Sequence, residues 1–176
     1  MRPLILPLVL FILLVFESMT VGLLPTTILE QEIVYIPHWI LVFSLLIVLF
    51  YDELHTYHGI INGMIFAFLF ELVYTNMLGV YLLAYGVALY IAHLSKRILH
   101  RNFLVAFFLV TIGVSVADII IYEIYFIVGQ ANLDFSEFVQ QRLLPTVLIN
   151  ILFLLIIYPF TAKRLMIWQE QQQQLK

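Results

Sequence analysis

Long apolar runs alternate along this chain with short polar or Pro/Gly-bearing stretches, and the length of each run decides how it is read. A helix needs about 20 apolar residues to cross the roughly 30 Å hydrocarbon layer of a bilayer. Six runs approach that length, at 4–24, 38–51, 59–74, 78–95, 103–128 and 144–162. They predict an all-α integral membrane protein, a six-helix transmembrane bundle within a single domain over 1–168. The second and third runs are short, and the polar stretch Asp52-Glu53-Leu54-His55-Thr56-Tyr57-His58 joins them. Two short spans and one re-entrant hairpin both satisfy that pattern. The first run follows Arg2 as a signal peptide would, but it exceeds the roughly 7–15 residues of a secretory apolar core, so a retained anchor is expected. Residues 169–176 are Gln-rich and read as a continuation of the last helix into the cytoplasm.

Composition agrees with the pattern. Of 176 residues, 64% are hydrophobic and 11% charged, with 15 Phe, 10 Tyr and 2 Trp. A water-soluble core of this size could not hide so much apolar surface, whereas lipid-facing helices with aromatic interfacial anchors need it. The absence of cysteine excludes disulfides, thiolate metal sites and cysteine nucleophiles. Net charge is only -3 and the basic residues fall in short clusters, so no nucleic-acid partner is expected. If the first residue is cytoplasmic, six spans place Arg2, Lys96, Arg97, Arg101, Lys163, Arg164 and Lys176 on the same side and leave Arg142 outside. That bias follows the positive-inside rule and predicts a multi-pass protein with both termini cytoplasmic. The outer connections are then Pro25–Pro37, a tight turn around Thr75-Asn76-Met77, and Gly129–Gln141, all too short for a separate catalytic domain.

Polar residues inside the runs carry the functional expectation. Glu17, Glu71, Asp118 and Glu123 lie within predicted spans, where an ionised Asp costs about 2.5–3.5 kcal/mol on insertion scales unless it is paired, protonated or hydrated. Alternating helix direction puts them all in the outer half, together with Thr146 and Asn150 of the last span and Arg142 at its rim. One reading is a cavity open to the outside or an interhelical network that receives a partner helix. The other leaves Glu17 and Glu123 at the headgroup level beside Tyr122 and Tyr125.

Gly59-x-x-x-Gly63-x-x-x-Ala67 forms a small-residue stripe along the third run. Such a stripe permits close helix approach, and Gly79 and Gly86 of the fourth run are candidates for the surface it meets. Pro145 suits the first turn of the last helix, and Pro159 should bend that helix. Asp52, His55 and His58 have a spacing that zinc could use, yet no further ligand is evident and a solvated loop is the expectation. His93 is expected to pack rather than act as a base. No hydrolase, metalloprotease or nucleotide motif is present, so neither an enzyme nor a cofactor is expected.

Two stretches resemble the bacterial rod shape-determining protein MreD family. They are Gly59-Ile-Ile-Asn-Gly63-Met-Ile-Phe-Ala-Phe-Leu-Phe-Glu71 with Tyr74-Thr75-Asn76-Met77-Leu78-Gly79-Val80-Tyr81, and Arg142-Leu143-Leu144-Pro145-Thr146-Val147-Leu148-Ile149-Asn150 with Pro159-Phe160. The early pair Glu17-Ser18, the length and the span count agree. Glu71 departs from the Asp more common in that family, and Ala67 stands where a glycine would also suit. The resemblance implies a non-enzymatic scaffold of the lateral-wall elongation complex. Such a protein binds MreC, and through the complex meets RodA, its penicillin-binding transpeptidase and, indirectly, MreB. It also implies a fold similar to the substrate-binding subunits of energy-coupling-factor transporters, with six helices around an outward cavity. The main alternative is a small-molecule or lipid-binding transporter subunit with Glu17, Glu71, Asp118, Asn150 and Arg142 as cavity walls. An ion-coupled carrier is a third reading, disfavoured because no internal repeat is visible.

Overall fold

A computed structural model describes residues 4–23, 27–28, 31–96, 99–131 and 133–174. Arg2, Arg97 and Lys176, used above to orient the chain, and Pro25 and Glu30 of the first outer loop lie outside the described residues. The described residues form six helices. They are α1 (Ile5–Leu23), α2 (Trp39–Tyr51), α3 (His58–Tyr74), α4 (Val80–Ser95), α5 (Phe103–Ile127) and α6 (Phe135–Gln173). A two-residue antiparallel ladder, Thr27–Ile28 with Gln31–Glu32, lies between α1 and α2. The helices make a membrane bundle, and α5 and α6 are each long and apolar enough to cross a bilayer alone.

The bundle is built around α2. Every residue from Ile40 to Tyr51 is buried, because this helix packs against all five others. Its eight α-helical and five π-helical residues rise only about 20 Å, less than the bilayer core. The extended segment 33–38, held open by Pro37, leads into it.

The last helix differs from the sequence expectation at its start, while its run to Gln173 matches the expected continuation past residue 168. Pro145 stands in the first turn of the α-helix Leu144–Gln173, as expected. A short turn, Phe135–Phe138, and the residues up to Leu143 continue that helix backwards without a break, so Arg142 sits on a helix. A π-helical turn, Val139–Leu143, precedes the proline. Proline lacks an N–H and clashes with the carbonyl four residues back. The wider turn frees that carbonyl, and Gln141 O accepts instead from Val34 N at 2.9 Å.

Glycine packing also departs from expectation. A Cβ on Gly59 would come within 2.6 Å of Val48, and one on Gly63 within 2.5 Å of Leu89 and 2.9 Å of the Ser44 hydroxyl. The α3 stripe, with buried Ala67, therefore closes against α2 and Leu89 of α4, not against Gly79 and Gly86. Gly79 has φ +95° and nothing within 4 Å, so its role is the left-handed turn that starts α4. Gly86 faces only Met64, at 3.6 Å.

Candidate functional site

The expected convergence of polar residues exists for most of the set, and it takes the form of a buried seam around the entry to α2. The segment 34–40 presents backbone groups that no helix or sheet ladder satisfies, and side chains of α1 and α6 meet them. The Thr146 hydroxyl accepts from Ile36 N at 3.1 Å. The Asn150 side chain donates to Ile36 O at 3.0 Å and accepts from His38 N at 2.8 Å. The Glu17 carboxylate accepts from Ile40 N at 2.9 Å. Thr146 and Asn150 are one helical turn apart on α6, and both are fully buried. Together with Gln141 O they follow the extended strand as a partner strand would.

An ion pair stands beside this seam. Arg142 donates to Asp118 through Nε at 3.1 Å and Nη2 at 2.8 Å. Asp118 is fully buried and Arg142 partly so, and the guanidinium also lies 5.8 Å over the Phe138 ring. His38 Nε2 lies 3.8 Å from the same carboxylate oxygen, and its Nδ1 is 2.9 Å from the Tyr85 hydroxyl. Glu17 Oε1, His38 Nε2 and Asp118 Oδ2 have no hydrogen-bond partner within the described residues.

Glu71 works one step away. Its carboxylate accepts from Gly79 N at 2.9 Å, from Tyr81 N and more weakly from Leu82 N, which caps the start of α4 where donors are unsatisfied and the helix dipole is positive. Tyr81 links it to the seam, its ring centroid lying 6.2 Å from that of His38. Glu123 is exposed on α5 and outside the cluster. The residues that sequence reasoning missed are His38, Tyr81 and Tyr85. A histidine following Pro37 at the head of an apolar run was the available signal.

At the opposite end a second polar group closes the bundle. Both Asp52 carboxylate oxygens cap α3, accepting from His58 N at 3.0 Å and Gly59 N at 2.9 Å. Lys96 donates to the Asp52 carbonyl, and Arg101 reaches Gln169. Burial pushes the Asp52 carboxyl up to about 6 against the pull of these amides and of Lys96. Burial also lowers the Lys96 ammonium to about 8, against the attraction of Asp52. No group of three or more His, Asp or Glu among the described residues is placed to hold a metal ion. The His93 ring is buried beside Tyr57, centroids 4.8 Å apart.

Among the described residues, grooves open away from the seam. One of about 500 Å³ runs between α3 and α4 and is lined by apolar side chains and Gly79 and Gly86. The seam is thus a set of filled contacts between helices, and its chemistry is hydrogen bonding that fixes how α1, α2, α5 and α6 meet. An apolar bundle closed by such internal contacts defines a helical membrane protein.

A family model for the rod shape-determining protein MreD matches residues 2–167. The chain belongs to the MreD family. Its relatives include the rod shape-determining protein MreD of Bacillus subtilis (strain 168), 27% identical over 161 residues, which cover 91% of this chain and 92% of that protein. No solved structure matches the chain, so the expected likeness to energy-coupling-factor subunits draws no support from that comparison. Family membership ties the protein to rod-shape determination.

Proposed function

We propose that the protein is a non-enzymatic scaffold of the cell-elongation complex, holding the transmembrane helix of MreC and helping to position RodA and its penicillin-binding transpeptidase, with MreB linked indirectly. The observation that carries this reading is the fate of the buried polar side chains. Glu17, Glu71, Thr146 and Asn150 bind backbone groups of the bundle itself, and Asp118 binds Arg142. A substrate subunit would need such groups turned into a cavity. Here they stiffen the bundle and leave broad apolar faces outward, including exposed Leu83, Tyr90, Ile61 and Ile65 on α3 and α4. In lipid such faces hold partner helices by packing rather than by a hydrophobic driving force.

The orientation that fits is the end bearing Lys96, Arg101, Lys163 and Arg164 toward the cytoplasm, with six crossings and both termini on that side. Affinity purification from the native membrane tests the proposal. MreC is expected in the eluate and reduced by a bulky Gly86→Trp substitution, which fills the α3–α4 groove without touching the seam. An eluate that carries an ATPase module and no MreC refutes the scaffold.

A further inference from the structure

Near the end of the bundle that carries Lys163 and Arg164, α1, α2 and α6 do not close on one another. The gap is a groove of about 280 Å³. Phe43 and Leu165, both buried, form its floor, and Ile5 and Val9 line it from α1. On α6 the groove meets Thr161, Arg164 and Trp168. Arg164 is exposed and makes no ion pair among the described residues, and no acidic side chain lines the groove.

We propose that this groove binds one anionic phospholipid from the leaflet on that side, its phosphate on the Arg164 guanidinium and an acyl chain along Val9 and Leu165. The combination of parts matches the ligand. An apolar slot suits a chain, an unpaired guanidinium suits a phosphate because it offers forked donors and a fixed positive charge, and an indole at the same level suits the headgroup interface. A transmembrane helix fits less well. One helical turn with its side chains, about 10 Å across and 5.4 Å tall, displaces about 420 Å³, so a helix could lie over the groove but not enter it. The lipid would fill the space between α1 and α6, well away from the seam at the other end.

The test uses the whole protein in nanodiscs of phosphatidylcholine mixed with phosphatidylglycerol, released gently and weighed with its retained lipids by native mass spectrometry. Phosphatidylglycerol is expected to be enriched on the wild type. Arg164→Gln should cut that enrichment about tenfold, as the loss of one charge-assisted hydrogen bond to the phosphate does, whereas Lys163→Gln, one residue away and outside the groove lining, should change it much less. Val9→Trp should displace the lipid whatever its headgroup. Equal retention of the two lipids by wild type, unchanged enrichment in Arg164→Gln, or a cross-link from the groove to a co-purified helix instead of lipid would each overturn the proposal. Arg164 is a surface residue, so its variant stays informative even where Val9→Trp fails to fold.

Discussion

Replacing Asn150 by Leu asks whether the seam holds α2 in place. The substitution keeps the branching of the side chain and removes two contacts across the seam, the acceptor for His38 N and the donor to Ile36 O, together with the bond to Thr146 O inside α6. His38 is fully buried, so its N–H has no water to turn to. Interhelical hydrogen bonds measured in a membrane protein average about 0.6 kcal/mol and reach about 1.7, so two of them give a loss of about 1–3 kcal/mol. Thr146→Val removes one contact, to Ile36 N, and should cost about half as much. Unfolding by steric trapping in bicelles reads the totals. Amide exchange then separates the sites. Asn150→Leu should speed the His38 amide by about 5–150-fold, the factor equivalent to that loss. Thr146→Val should speed Ile36 and spare His38. A lipid-facing control, Leu152→Ala, should change neither amide. If Asn150→Leu falls within about 0.5 kcal/mol of wild type, the range of an inconsequential surface change, the seam does not hold α2 and the account of the bundle built on it fails.

Three further outcomes follow from the same contacts. Arg142→Met strands the buried Asp118 carboxylate and should cost about 3–5 kcal/mol, while Asp118→Leu combined with Arg142→Met should recover much of the loss. A double variant as unstable as the single one would show that the pair is not acting as a unit. Gly63→Ala forces a methyl within 2.5 Å of Leu89 and 3.0 Å of Ser44 Cβ and should destabilise by about 1–3 kcal/mol, whereas Gly86→Ala, 3.6 Å from Met64, should be nearly silent. Equal melting temperatures for the two would reject the packing assigned to α3. Asp52 holds its proton up to about pH 6 in the folded protein against 3.8 for a free aspartate side chain, so the folded state binds more protons between those values and stability should fall as pH rises from about 4 to 6. Lys96, lowered to about 8 from 10.5, binds fewer protons when folded, so stability should rise from about pH 8 toward 10.5. Asp52→Asn should flatten the acid limb and, by removing the attraction that holds the Lys96 ammonium up, steepen the alkaline one, and a wild-type melting temperature that climbs between pH 4 and 6 would contradict the burial of that carboxyl.

The apolar runs were legible because hydrophobic length is a local property. What they conceal is which surface each helix faces. The run that becomes α2 looks no different from that of α4, yet α2 is buried on every side while α4 exposes Leu83 and Tyr90. Gln140, Gln141 and Arg142 read as loop because their polarity breaks the run, although the π-helical turn carries them on α6. The expense of Glu17 and Glu71 in lipid was plain, but the groups that offset it are backbone N–H groups of Ile40, Gly79 and Tyr81. Those donors have no side-chain identity, so no pattern of letters announces them. Gly113, whose added Cβ would meet Leu45 at 2.8 Å, was likewise invisible, since its contact depends on where α2 crosses α5.

One physical necessity connects these misses. A helix too short for the bilayer, as α2 is, has its terminal donors at a depth without water, and each unpaired one costs several kcal/mol. The buried starts of α2, α3 and α4 accordingly meet a carboxylate oxygen, from Glu17, Asp52 and Glu71 in turn. Two of those, Glu17 and Glu71, are the intramembrane acids that suggested a ligand cavity. Their occupation by the next helix ties α1 to α2 and α3 to α4 along the chain, while Asp118 with Arg142 and Asn150 with His38 tie α5 to α6 and α6 to α2 across it. A bundle cross-linked in this way changes shape only by breaking buried polar contacts, and that stiffness is what a protein needs if its exposed apolar faces are to hold other helices at fixed positions.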